Sequence, residues 1–166
     1  MDRSPANDAE ALATATRSAA YRLPLITESF AHLTGRTLVA DGGDPALALW
    51  SAPRAIVAHG TGQDPIFFYG NRLALTLFEI AIADFIRMPS RLSAEPMARD
   101  ERARLLARVA ADDVIEDYAG VRISATGRRF RITQAVVWNL KDANGSIHGQ
   151  AAAFDRWTLL DGPDHV

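Results

Sequence analysis

Three consecutive runs, VIEDYAGVRISATG (114–127), RRFRITQAVVWNLKDANG (128–145) and SIHGQAAAFDRWTLL (146–160), decide the fold. Each is rich in β-branched and aromatic residues, and turn signals separate them at Ala125-Thr126-Gly127 and Asp142-Ala143-Asn144-Gly145. Asn-Gly supplies the positive φ angles a hairpin needs, so each run is expected to fold back on the one before it. The result is a meander of three long antiparallel strands. In the first, Val121 and Ile123 share one parity, and Tyr118, Arg122 and Ser124 share the other. With the aliphatic pair turned to the core, Tyr118 and Arg122 face outward, unless a bulge at Gly120 switches the parity.

Upstream of the meander, AIVAHG (55–60) and PIFFYG (65–70) are short β-rich runs joined by TGQD, a first hairpin. Asn71 then stands at a natural N-cap for NRLALTLFE, where Leu73, Leu77 and the following Ile80 are expected on one inward face with Leu75 and Phe78 beside it. Prolines 89 and 96 limit the next pieces to about two turns each. A longer helix follows over about Arg99 to Ala110, with Leu105, Leu106 and Val109 inward and its arginines read as a solvated face. Before the hairpin, Leu12, Ala15, Ala19 and Leu23 make a thin stripe. Pro24 starts a second helix with Phe30 on its apolar face and Gly35 as C-cap. Asp44 and Pro45 start a short third one. These first helices are expected outside the main core or against a second copy. The order predicts an α+β fold, a five-stranded antiparallel sheet with short helices on one face plus N-terminal helices. The expected division is an N-terminal helical extension (1–53), the main domain (54–160) and a tail (161–166).

Composition narrows the chemistry. The 166 residues include no cysteine, which removes disulfides, thiolate nucleophiles and zinc-thiolate sites. Twenty acidic groups against 18 Lys and Arg give a net charge of −2, with no whole-molecule attraction to nucleic acid or anionic lipid. No apolar run approaches the roughly 18 residues of a membrane span, and Met1–Glu10 lacks the order of a secretory signal, so a cytoplasmic protein is expected.

At the level of wording the chain resembles the MEKHLA domain, a branch of the PAS fold. The likeness lies in HGT (59–61), PIFFYGN (65–71), LFE (77–79), PSRLSAEP (89–96) and RARLL (102–106). It continues in YAGVRISATGRRFRI (118–132), VWNLKDANG (137–145) and GQAAAF (149–154). The resemblance implies a cup formed by sheet and helices, and a domain that in plants is attached to homeodomain leucine-zipper regulators while bacterial copies often stand alone. It fixes no chemistry. With no attached helix-turn-helix, kinase or cyclase segment in these residues, the output is expected to pass through another chain.

Candidate ligand groups follow from that cup. His59 on the first strand is a proton-responsive group or hydrogen-bonding partner, weighed against a histidine bonded across the strand. Gln150 is the residue type that would face a flavin carbonyl, weighed against a plain sheet residue. Arg91, Ser93 and Glu95, in PSRLSAEP, suit an anion-holding lid or a local ion pair. Tyr69, Asn71 and Trp138 complete the expected ligand-binding set, and Leu12, Phe30, Tyr118 and Arg122 the expected interface. No histidine pair has metal-site spacing, a flavin adduct is ruled out without cysteine, and heme is not expected. No catalytic constellation emerges: G-x-S-x-G, Walker A and G-x-G-x-x-G are all missing. The leading expectation is a sensory or regulatory module that binds a small organic ligand and signals through protein contacts, as a homodimer or with a separate effector. The alternative is a pure homodimerisation module, and an enzyme using His59 or Glu95 ranks third.

Overall fold

Ala135 to Leu140 are six consecutive buried residues of one strand, so both faces of the sheet at that point are covered. The computed structural model describes residues 5–95 and 99–160; the expected tail at 161–166 and Pro96 lie outside that range. Three helices come first: α1 (Pro5–Ala19), α2 (Leu23–Thr34) and α3 (Pro45–Trp50). The hairpin β1 (Ala55–His59) and β2 (Phe67–Gly70) leads into α4 (Arg72–Phe78), α5 (Ile82–Phe85), a 3-10 turn (Ser90–Ser93) and α6 (Arg99–Asp112). The meander is β3 (Val114–Ile123), β4 (Arg129–Lys141) and β5 (Ile147–Phe154). A short β6 (Trp157–Leu159), beyond the five strands expected, pairs with Phe130–Ile132 of β4. All pairings are antiparallel, in the order β2-β1-β5-β4-β3.

Local chemistry explains the boundaries. The Asp44 side chain accepts from the Ala46 N–H and the Asn71 side chain from the Ala74 N–H, capping α3 and α4. Gly35 closes α2 at φ 73°. In the β4–β5 turn only Gly145 has positive φ (82°), and the Asp142 carboxylate accepts from the Asn144 and Ser146 N–H groups, so Asp142 shares the work expected of Asn-Gly. On α4 the deeply buried residues are Ala74, Leu75 and Phe78; Leu73, Leu77 and Ile80, expected there, are only half-buried.

The N-terminal helices correct a larger expectation. They do not stand outside the core: α2 covers the sheet face opposite α6, and α1 packs along the edge strand β2 between that strand and α3 and α5. The Trp138 indole N–H donates to the Ile26 carbonyl at 3.2 Å, and its ring meets Phe30 edge-on at 5.0 Å. Ser18 donates to the Phe68 carbonyl at 2.6 Å, and Ala15 and Ala19 are fully buried. Small residues on α1 let it approach closely, which is why its stripe is thin. Phe30 therefore serves the core and offers no surface to a partner, while Leu12 is half-buried against the same cluster. Among the described residues no helix is long and apolar enough to cross a membrane.

Phe30→Ala is expected to cost about 3–5 kcal/mol in urea denaturation, the range for a buried aromatic. A loss below about 1 kcal/mol would mean that α2 is not part of the cooperative core.

Candidate functional site

On the sheet face opposite α2 lies a cavity of about 60 Å³. Its floor is Val57 and His59 of β1, Phe67 of β2, Gln150, Ala152 and Phe154 of β5, Ile132 and Val137 of β4, and Tyr118 and Arg122 of β3. Phe78 of α4 and Ser90 and Ser93 of the 3-10 turn form walls, and Arg102, Leu105 and Leu106 of α6 form the roof. The cavity thus has an aliphatic and aromatic body with polar groups converging on it.

Two bulges create this lining. From Ile115↔Val137 to Tyr118↔Ala135, β3 advances one residue more than β4, which puts Ile115 and Tyr118 on one face. From Tyr118↔Ala135 to Gly120↔Ile132, β4 takes the extra residue, at a place where Gln134 adopts φ 53°. Tyr118 and Arg122 consequently face the cavity and not the outer sheet surface, correcting the expected interface role. The switch lies at Glu116–Asp117 and Gln134, and Gly120 serves another purpose. A Cβ at Gly120 would fall 2.8 Å from the Tyr118 Cζ, so the hydroxyl end of the phenol occupies the space a side chain there would need. Gly149, at φ 154°, likewise has the His59 carbonyl oxygen where a Cβ would stand, keeping β1 close to β5 beside Gln150.

The polar groups have distinct states. The His59 Nδ1 donates to the Gly60 carbonyl at 2.9 Å, which leaves Nε2 as an acceptor. Burial, aided by the positive charge of Arg102, pushes the imidazole down to about 4, so it is neutral at physiological pH. Arg102 donates to the Ser90 hydroxyl, and burial together with neighbouring Arg122 pushes its guanidinium down to about 10. Arg122 donates to the Val121 carbonyl at 3.0 Å and lies 5.3 Å from the Tyr118 ring centroid. The Gln150 Oε1 is buried without a hydrogen-bond partner among the described residues.

Of the expected ligand residues, the structure brings together His59, Ser93 and Gln150. Arg91 and Glu95 do not pair with each other: Arg91 binds Asp64 at 3.0 Å and Glu95 binds Arg129 at 3.4 Å, outside the cavity. Asn71 is a structural hub. Its Oδ1 accepts from Ile56 N and Ala74 N, and its Nδ2 donates to the Leu49 and Arg54 carbonyls, so its capacity is filled. Trp138 lies on the α2 side of the sheet, with its N–H spent on Ile26. Tyr69 shares the Ala58 face, away from the cavity, and burial raises its phenol. Arg102 was expected on a solvated face but roofs the cavity. Its place three residues before Leu105 and seven before Val109 puts it on the inward side of α6, a spacing visible in the sequence.

A flavin does not fit these residues. Gln150 is available and the missing cysteine excludes only an adduct, but the isoalloxazine ring system needs several times the volume present. Among the described residues no cluster of His, Asp or Glu is arranged to hold a metal ion.

The fold and cavity define the class: an α+β domain of the PAS type. A PAS domain of a LuxR-family transcriptional regulator from Burkholderia thailandensis, solved in complex with ethanol, is similar at TM-score 0.53 and 18% identity, over 71% of this chain and 98% of that one. The light-state dimer of the fungal blue-light photoreceptor Vivid is similar at TM-score 0.57 and 10% identity, over 81% and 93%. Within that class the chain belongs to the MEKHLA domain family, whose model matches residues 21–159. Homeobox-leucine zipper protein ATHB-9 of Arabidopsis thaliana is 27% identical over 143 residues, 81% of this chain and 17% of the plant protein, so the chain spans about a sixth of that relative.

Gly120→Ala is expected to displace Tyr118 and cost about 1–3 kcal/mol, read by urea denaturation and the tyrosine near-UV signal. An unperturbed Tyr118 would show that the ring does not depend on the glycine. For His59, a proton is bound near 6.5 in the unfolded chain and near 4 in the folded one. Its contribution is therefore full above pH 6.5 and lost as pH falls towards 4, by up to about 3 kcal/mol. His59→Gln is expected to flatten that part of the stability profile, and an unchanged slope would remove the assignment.

Proposed function

We propose that the chain is a sensory or regulatory module, without catalytic activity, that takes a small organic molecule into the cavity between the sheet and α6. One observation carries the reading: the Gln150 Oε1 is buried among cavity-lining residues with no partner among the described residues. An unpaired buried acceptor costs about 1–3 kcal/mol, which a ligand donor would offset. The surrounding His59, Ser93, Arg102 and Arg122 supply further orienting groups.

The same reading gives a route out of the cavity. Seven of the fourteen residues of α6 are charged, and its inward apolar contacts are Leu105, Leu106 and Val109. A roof with so thin an apolar face shifts readily when the molecule beneath it changes. Signalling then runs from the ligand through α6 to a protein contact, with a separate effector as partner. Homodimerisation through Phe30 is not favoured, because that ring is 1% exposed.

Native mass spectrometry of freshly purified protein, with melting curves across a panel of small polar molecules including ethanol, tests the proposal. A copurifying small molecule is expected, or a saturable rise in melting temperature of about 3 °C per kcal/mol of binding linkage. A protein free of any such molecule, with no saturable stabiliser in the panel, would sink it.

A further inference from the structure

We infer that the occupant of the cavity is a short-chain carboxylate carrying a hydroxyl group, with its carboxylate held by Arg102 and Arg122 and its hydroxyl donating to Gln150. The inference rests on the reading of the cavity as a ligand site and specifies the chemistry of that ligand.

Charge is the first ground. Arg102 reaches the cavity from the α6 roof and Arg122 from the β3 floor. Among the described residues neither cavity arginine has a carboxylate partner, and unlike the others without one (Arg17, Arg22, Arg54, Arg87, Arg104, Arg131 and Arg156) these two share one cavity. Arg102 spends a donor on the Ser90 hydroxyl and Arg122 one on a neighbouring carbonyl, so most guanidinium donors remain available. Two partly desolvated cations on one small space are unfavourable without a counter-charge. A planar carboxylate matches the guanidinium fork and would supply that charge. The chain as a whole is acidic at −2, so the positive field is local to the cavity.

The hydroxyl follows from the acceptors. Among the described residues the Gln150 Oε1 has no donor, and the His59 Nε2 stands as a lone-pair acceptor because Nδ1 is committed to Gly60. A carboxylate alone leaves both unsatisfied, whereas a hydroxyl serves one of them. Volume sets the length: at about 10–15 Å³ per water-sized site, the 60 Å³ cavity holds roughly four to six heavy atoms. That is the size of glycolate or lactate. The apolar remainder, Val57, Phe78 and Val137, receives the carbon chain.

Calorimetric titration at constant ionic strength, using lactate, propionate, lactamide and propane-1,2-diol, tests the inference. Lactate is expected to bind at least about tenfold more tightly than lactamide or the diol, with propionate between them. Arg122→Gln is expected to weaken lactate by about tenfold or more while leaving the diol unchanged, and Arg122→Lys to recover part of the loss. Melting curves confirm that both variants fold, and Arg102→Lys provides a second route should Arg122 variants unfold. If the diol or lactamide binds as well as lactate, the carboxylate assignment is overturned while the ligand-site reading survives. Lactate binding that is indifferent to both arginines overturns it too. So does a failure of both carboxylates to bind, and the ligand-site reading then depends on the copurified molecule alone.

Discussion

The central strand β4 imposes the condition that organises this molecule. From Ala135 to Leu140 every side chain is buried, alternately towards α2 and towards α6, and neither face tolerates water. A sheet with such a strand must be covered twice. Trp138 shows what one cover accomplishes: its ring stacks edge-on against Phe30 and its N–H reaches the Ile26 carbonyl, so the polar atom of a fully buried indole is satisfied by the helix that buries it. On the other side Asn139 donates to the Val109 carbonyl and to Asp113, fastening the C-terminal end of α6 to the same strand. Both covers are thus tied to neighbouring residues of one ribbon.

The cavity exists where the second cover is incomplete. At its C-terminal end α6 is fastened through Asn139 and Val109; around Arg102 it meets a floor that has turned polar. Bulges at Glu116–Asp117 and Gln134 bring Tyr118 and Arg122 inward, where a regular ladder would have kept aliphatic side chains against the roof. The arrangement exchanges packing for hydrogen-bonding capacity. Among the described residues, a Gln150 oxygen without a donor and two arginines without carboxylates are poor choices for stability, and they are the features on which the proposed ligand role rests.

Much of this was legible beforehand, for reasons that are local. The Asp44 and Asn71 caps, the Gly35 terminus and the hairpins all depend on residues within a few positions of one another. The cavity was legible in part: His59, Ser93 and Gln150, named as ligand candidates, are among the residues that line it. Asn71 and Trp138 show why the others did not, since a polar or amphipathic side chain can satisfy backbone groups as readily as a ligand. The double burial of β4 also had a signal. AVVW (135–138) is a continuous apolar run, the mark of a strand covered on both faces, and Asn139 extends the burial by bonding to α6.

The amino-acid order alone determined the elements, their caps and turns, and the antiparallel meander, because those follow from backbone propensity and short-range hydrogen bonding. Tertiary structure decided which way Tyr118 and Arg122 point, that Arg102 is a roof residue, and that Phe30 belongs to the core. Each of those outcomes depends on strand register or on which surface remains uncovered. One extra residue in a ladder reverses every side chain beyond it, and such a shift is set by the packing of distant segments.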